Sequence, residues 1–337
     1  MTRCVNTNTG STAAAMLLVA ILALVQAAGG ASPASQPLAD GQAPRSDSGN
    51  GWLAGGRELA DAAATRSTAP TDEPAAAEAA PAASEKTAEE LAKAAQNPVA
   101  SMISVPLQSN FNFYDIHTHL AGQDYSRHTM GYLMNVQPVI PFKLSEDWNL
   151  ITRTIVPIIN QPELVPGMGS HGGLGDIQFT SFLSPAKPGK VIWGVGPVLQ
   201  FPTATDQWLG SGKWSAGPSG LVLTMQGPWV MGVLAQNVWS YAGDSGRPYV
   251  NQMLINPFVN YNLPGGWYLT MSPNITADWH ADNEERWTVP IGGGVGRLFR
   301  VGKQPVNIQL AGYYNVVHPT LGPEWTVRLQ IQFLFPK

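Results

Sequence analysis

The chain has 337 residues with 23 acidic and 19 basic side chains, so only 12% is charged, where a soluble domain carries about 25%. That is too few charges to wet an ordinary soluble surface, and a net charge of -4 excludes a nucleic-acid binder, which needs a basic stripe to replace counterions on phosphates. A mean hydropathy near zero excludes a polytopic helical membrane protein, whose spans each need about 20 consecutive apolar residues, and a single cysteine excludes a disulfide framework or a Cys-based zinc site.

Residues 1–28 read as a secretory signal peptide. Arg3 supplies the positive start, Ala13 to Val25 is an uncharged apolar run too short to span a bilayer, and small residues suited to cleavage follow near Ala27. Cys4 lies before that run rather than after it, where a lipid-anchor cysteine would stand, so the mature protein would contain no cysteine. Residues 29–98 form an Ala/Pro-rich linker expected to be disordered, because it has too little large apolar surface to offset the entropy of ordering. The linker holds ten acidic and five basic residues, and the remainder from Val99 to Lys337 is neutral. Near the end of the linker, Thr87 and Glu90 have capping-box spacing ahead of Leu91, Ala92, Ala94 and Ala95. This spacing predicts a short helix from about Ala88 to Ala95, read either as a transient linker helix or as a docking helix or small plug.

From residue 99 to 337 no helical apolar period persists, while period-two alternation recurs. Val191, Trp193, Val195, Pro197, Leu199 and Phe201 share one face; so do Met253, Ile255, Pro257, Val259 and Tyr261; so do Trp325, Val327, Leu329, Ile331, Phe333 and Phe335. A two-sheet sandwich alternates as well. Here, however, the opposite face carries Asn, Gln, Thr, Ser, Tyr and Gly rather than Lys and Glu, which suits a confined wet lumen inside and hydrocarbon outside. Strands are predicted near 102–114, 131–143, 147–160, 174–184, 190–202, 213–225, 228–240, 252–263, 266–277, 286–298, 304–315 and 324–335. The fold expected is therefore all-β: a transmembrane antiparallel β-barrel of about 12 strands. Gaps after even-numbered strands are short and those after odd-numbered strands run to about 8 to 16 residues, the rhythm of a barrel with both termini periplasmic. Trp148, Trp229 and Trp267 follow the short turns, while Trp214, Trp239, Trp287 and Trp325 lie nearer the long loops, as aromatic belts at both interfaces require. Alternation is blurred in 213–225 and 228–240. Pro157, Pro197, Pro257, Pro273 and Pro290 each lose a ladder donor and are expected at bulges or irregular pairings.

An arginine facing mid-depth hydrocarbon costs about 2–4 kcal/mol, so charges on strands are expected to face the lumen. The lumen candidates are Arg153, Asp176, Asn256, Asn260, Asn274, Arg297, Asn307, Gln309 and Arg328. Two roles are open for the charges: salt bridges that hold the barrel shut, or a constriction that selects solutes.

Other patterns carry less. Asp115-Ile-His117-Thr-His119 resembles the metal motif of amidohydrolases, but that fold needs helices between its strands and none is predicted. All six histidines (His117, His119, His128, His171, His280 and His318) fall in predicted long loops, and no metal site is assigned. An outer-membrane lipase would need a serine and a histidine within reach on the outer face, and no predicted strand carries a histidine. The run Gly292 to Gly296 lacks the helix and Lys-Ser/Thr of a phosphate loop, and its glycines would instead permit a bent strand or a close approach.

The strings GLGDIQFTSFLSP (Gly173–Pro185), WGVGPVLQFPTATD (Trp193–Asp206), GKWSAGPS, INPFVNYNLPGGWYLT, WTVPIGGGVGR and the ending FLFPK resemble a family of proteobacterial outer-membrane transporters. That family is linked by name to the meta-pathway of phenol degradation, and its members often carry the automatic label neuromedin U. The resemblance runs from about Leu91 to the end and implies an outer-membrane β-barrel that takes up small aromatic or other organic solutes, with no catalytic residues to carry over. Pro336 and Lys337 depart from the terminal aromatic residue usual for barrel assembly.

The expectation is a non-enzymatic outer-membrane channel or transporter of a Gram-negative bacterium, in passive uptake of small organic solutes and without a cofactor. Its partners would be outer-membrane lipid, the barrel-assembly machinery and the solute, with no nucleic acid. The alternatives are a closed structural or envelope-interaction barrel, and a secreted metal hydrolase using His117 and His119.

Overall fold

The computed structural model describes residues 87–120 and 123–336; the expected signal peptide and most of the linker lie outside the described residues. Among those described, a single α-helix, α1 (Ala88–Ala95), precedes fifteen strand segments. These are β1 (Ile103–Leu120), β2 (Gln123–Val136), β3 (Val139–Lys143), β4 (Trp148–Gln161), β5 (His171–Leu174), β6 (Ile177–Pro185), β7 (Val191–Phe201), β8 (Lys213–Gln226) and β9 (Trp229–Gly243). β10 (Asn251–Asn262), β11 (Trp267–Met271), β12 (Ile275–Asp278), β13 (Trp287–Val301), β14 (Gln304–Val317) and β15 (Trp325–Phe335) complete the set. Three pairs of segments run in line as halves of one stave: β2 with β3, β5 with β6, and β11 with β12. Fifteen segments less three joins give the closed ring of 12 antiparallel staves. The ring closes where β1 pairs with β15, from Ile103 against Phe335 to Phe113 against Trp325. Closure satisfies every edge, the condition for a sheet to stand in hydrocarbon.

The two faces separate as alternation requires. Along β14, Leu310 is 53% exposed on the outside while its neighbour Gln309 is 8% exposed on the inside. Trp148, Trp229, Trp267, Trp214, Trp239 and Trp325 are all exposed on the outer face, and Trp287 is half-buried in an edge contact with Trp279 at 5.7 Å. Trp148 meets Trp193 edge-on at 6.0 Å, and Tyr314 meets Trp325 at 4.7 Å. Trp148, Trp214, Trp229, Trp287 and Trp325 each meet a second aromatic ring, so much of the aromatic belts is built from ring pairs.

In β8 and β9 the pattern blurs because the inner face there is apolar too. Leu221, Leu223, Val230 and Leu234 pack inside with Val99, Ile151, Phe182 and Phe258. The interior at the short-turn end is thus a hydrophobic core, not the uniformly wet lumen expected from composition. Pro273 stands in the break between β11 and β12, and Pro290 at a register shift in β13. Pro157 stands opposite the break between β5 and β6, Pro257 opposite that between β11 and β12, and Pro197 where the β6–β7 ladder is interrupted between Val195 and Val198, as expected of irregular pairings; Pro197 also directly opposes Pro218 on β8, which concentrates two missing donors on one rung.

The first connection also differs. β1 and β2 continue well past the membrane-sized ladder, pairing from Leu107 against Val136 out to Leu120 against Gln123. His117, His119, His128 and the first residue of β5, His171, therefore lie on strands, while His280 and His318 remain in loops. Above the lipid the outside is wet, so polarity inverts: Tyr114 and Ile116 are buried inward with Leu164, and Asp115, His117 and His119 face out. An apolar-out rule stops at the headgroups.

Candidate functional site: a stepped lumen and its plug

Inward positions of the staves line three cavities that share walls. The one at the long-loop end has a volume of about 400 Å³ and is lined by Gln178, Gln200, Gln236 and Gln252, with Asp278, Glu285 and Arg286 at its rim. Gln178, Gln236 and Leu254 also line a middle cavity of about 220 Å³. Gln137, Arg153, Leu234 and Asn256 line both the middle cavity and a third, of about 150 Å³, that ends against Ala94, Ala95, Asn97 and Pro98. The cavity volumes fall stepwise towards α1 and the chain that follows it, which bound the last cavity.

Helix α1 forms because Thr87 and Glu90 close a capping box: Thr87 Oγ1 accepts from the Glu90 N–H at 3.2 Å, and Glu90 Oε2 accepts from the Thr87 N–H at 3.1 Å. Its apolar stripe is thin, but Leu91 is 1% exposed, packed with Ala92 on Leu298, Leu334 and Met102 of the inner wall. Gln96 and Asn262 exchange side-chain hydrogen bonds at 2.9 and 3.2 Å, and Gln332 Nε2 donates to the Ala95 carbonyl at 3.5 Å. Val99 continues the seal into the apolar core. The helix docks inside the short-turn mouth rather than trailing free of it.

The lumen candidates divide. Arg153, Asn256, Asn274 and Arg328 line the middle cavity. Asn256 Nδ2 donates to the Pro273 carbonyl at 2.8 Å and Asn274 Oδ1 at 3.0 Å, which holds the break between β11 and β12. Asn260, Asn307 and Gln309 are buried inside. The Tyr268 hydroxyl donates to Asn307 Oδ1 at 3.0 Å, Asn307 Nδ2 donates to Gln332 Oε1 at 3.2 Å, and Gln309 Oε1 lies 3.4 Å from the same hydroxyl.

Arg297 is a correction. It pairs directly with Trp267 and Ile308 on the outer face, is exposed, and carries its guanidinium 4.9 Å from the Trp267 ring. Near a turn an arginine reaches the headgroups along an aromatic ring, so the penalty for mid-depth hydrocarbon does not apply. Asp176 is the other: at the break between β5 and β6, its carboxylate accepts from the Ala204 N–H at 3.2 Å and from the Ser211 N–H and hydroxyl, both at 2.7 Å. It organises the 202–212 loop. Sequence reasoning passed over the four glutamines of the outer cavity, although each sits at inward parity on its strand.

The loops are stitched to one another. Arg247 donates to the carbonyls of Gln207 at 2.8 Å and Gly210 at 2.6 Å, and Glu285 accepts from the Thr320 N–H at 2.9 Å. Beyond the spanning part, the Gly167 N–H and then the Arg127 guanidinium hold the Glu163 carboxyl below the usual carboxylate range. His171 faces the Met168 carbonyl at 2.8 Å and the Asp206 carboxylate at 2.9 Å, which together raise its pKa. The Trp208 N–H and His171 lower that of Asp206.

On the outer hairpin, His117 Nε2 and His128 Nδ1 approach Asp115 Oδ1 at 2.9 and 3.1 Å. No group of three His, Cys, Asp or Glu among the described residues has metal-holding geometry, and no serine hydroxyl bonds an imidazole among them. The all-β architecture lacks the helices that an amidohydrolase barrel requires.

No family model and no curated protein matches this chain. Among solved structures, an outer membrane channel from Pseudomonas putida F1 is similar with a TM-score of 0.54 and 15% identity, over 70% of this chain and 96% of that one. The likeness is one of fold. The NanC porin (TM-score 0.43, 8% identity, 69% and 100% of the two chains) and the CymD monoaromatic hydrocarbon channel (0.40, 10%, 72% and 91%) are more distant.

Proposed function

We propose that this chain is an outer-membrane channel of a Gram-negative bacterium for passive uptake of small organic solutes, aromatic ones among them, with the short-turn end and both termini in the periplasm. The observation that carries this reading is the succession of three adjacent lumen cavities, each sharing lining residues with the next, from the loop end to α1. Their polar lining with interspersed Leu234, Leu254 and Ile155 suits solutes that are part apolar and part polar. Kinship with the meta-pathway transporter family, insertion by the barrel-assembly machinery and the absence of catalysis belong to the same proposal. The test is single-channel recording of the full chain in planar bilayers together with liposome swelling in small organic solutes. Discrete currents and solute-dependent swelling support it; silence at every voltage and with every solute refutes it.

The packing of Leu91 and Ala92 favours a second reading, a barrel that stays closed as a structural envelope component. A variant that undocks α1 separates the two, since a barrel with no transport role would stay silent even with the mouth unsealed.

A further inference from the structure

Arg153 on β4 and Arg328 on β15 face the same middle cavity. A row of amides joins them. Arg153 Nη2 donates to Gln137 Oε1, Gln137 Nε2 to Gln108 Oε1 at 3.4 Å, Gln108 Nε2 to Asn110 Oδ1 at 3.4 Å, and Arg328 Nε to that same oxygen at 3.1 Å. Arg328 also donates to the Ser272 carbonyl at 2.9 Å, with its guanidinium 4.8 Å from the centre of the Tyr313 ring.

All these partners are neutral. Among the described residues neither guanidinium has a carboxylate within ion-pair distance, so salt bridges that hold the barrel shut are not what these arginines make. The carboxylates that line the path, Asp278 and Glu285, belong to the outer cavity. There they accept from Gln252 and the His280 N–H, and from Thr320. Guanidinium cannot shed its proton, and two like charges enclosed without a counterion are costly. A visiting anion relieves that cost. Ile155, Leu234 and Leu254 line the same cavity and offer an apolar wall beside the charged one.

We propose that the middle cavity is a binding site for small organic monocarboxylates, with the carboxylate held by Arg153 and Arg328 and the hydrocarbon part against Ile155, Leu234 and Leu254. This rests on the channel reading above and gives its substrate class. Arginine suits a carboxylate through its planar fork of donors.

Benzoate is the probe. In calorimetry of the detergent-solubilised full chain, benzoate should bind saturably. Benzamide, its neutral counterpart, should bind about tenfold or more weakly, the worth of a hydrogen bond to a charged group. Arg153→Gln and Arg328→Gln should each weaken benzoate by a similar factor and leave benzamide unchanged. Arg153→Lys keeps the charge and serves as a second variant, intermediate in affinity. In a bilayer under a KCl gradient, the reversal potential should show anion preference that falls in both Gln variants. Equal binding of benzoate and benzamide, or unaltered benzoate binding in the Gln variants, overturns the proposal. Currents without benzoate preference would refute this site alone, while benzoate binding without any current would refute the channel reading alone.

Discussion

Tyr268 and Gly296 sit directly opposite each other on neighbouring staves, and the tyrosine ring occupies the space where a side chain on residue 296 would begin. A Cβ on Gly296 would lie 2.2 Å from the ring carbon that bears the hydroxyl. The ring is 1% exposed, and its hydroxyl ties β11 to Asn307 on β14. This is the close approach that the glycine run permits.

Gly296→Val should therefore prevent the ring from seating. The expected outcome is loss of the compact, heat-modifiable band in semi-native electrophoresis, whereas Gly312→Val, exposed on β14 with nothing near its Cβ position, should retain that band.

Ile331 pairs with Leu107 and Ile308 on the outer face. Ile331→Arg should cost about 2–4 kcal/mol at mid-depth and reduce assembly into lipid vesicles. Gln330, one residue away and inward, should accept arginine with little loss; comparable assembly of both variants would place Ile331 on the wrong face.

Leu91 is the principal apolar contact of α1. Leu91→Ala should weaken docking by about 2–5 kcal/mol, the usual range for truncating a buried leucine. The measurable result is a higher open fraction in single-channel recordings with unchanged barrel melting, since the staves do not depend on the helix for their ladder.

The His171 and Asp206 pair predicts a pH dependence in the loops. His171 has a raised pKa, so its contribution is complete below the ordinary imidazole value of about 6.5 and fades as pH rises through the higher folded value. Asp206 has a lowered pKa, so its contribution persists above the ordinary carboxylate range and fades only as pH falls through the lower folded value. Between those limits the 162–170 and 202–212 loops are joined. Limited proteolysis at Val165 to Gly169 should accelerate as the medium is made alkaline, and His171→Gln should abolish that dependence.

The alternating stretches around Val191, Met253 and Trp325 made twelve staves legible, because a period of two with aromatic ends has few other physical meanings. What stayed hidden depended on depth, which a sequence does not record. Phe113 lies at lipid level and Asp115 above it, yet both occupy the same face of one strand, so the first hairpin was read as a loop. Arg297 was assigned inward because its distance from the membrane plane was unknown. Asp176 was read as a lumen charge because its three loop donors lie some thirty residues away in the chain. The inner apolar core, too, could be recognised only as blurred alternation in β8 and β9.

Gln96 to Met102 is all that separates the plug helix from the first stave. A leash so short keeps a released helix at millimolar effective concentration beside its own seat, so reclosure competes with any solute that follows. In the proposed channel each opening would then be a brief unimolecular excursion whose frequency is set within one molecule, independent of how many copies the membrane holds.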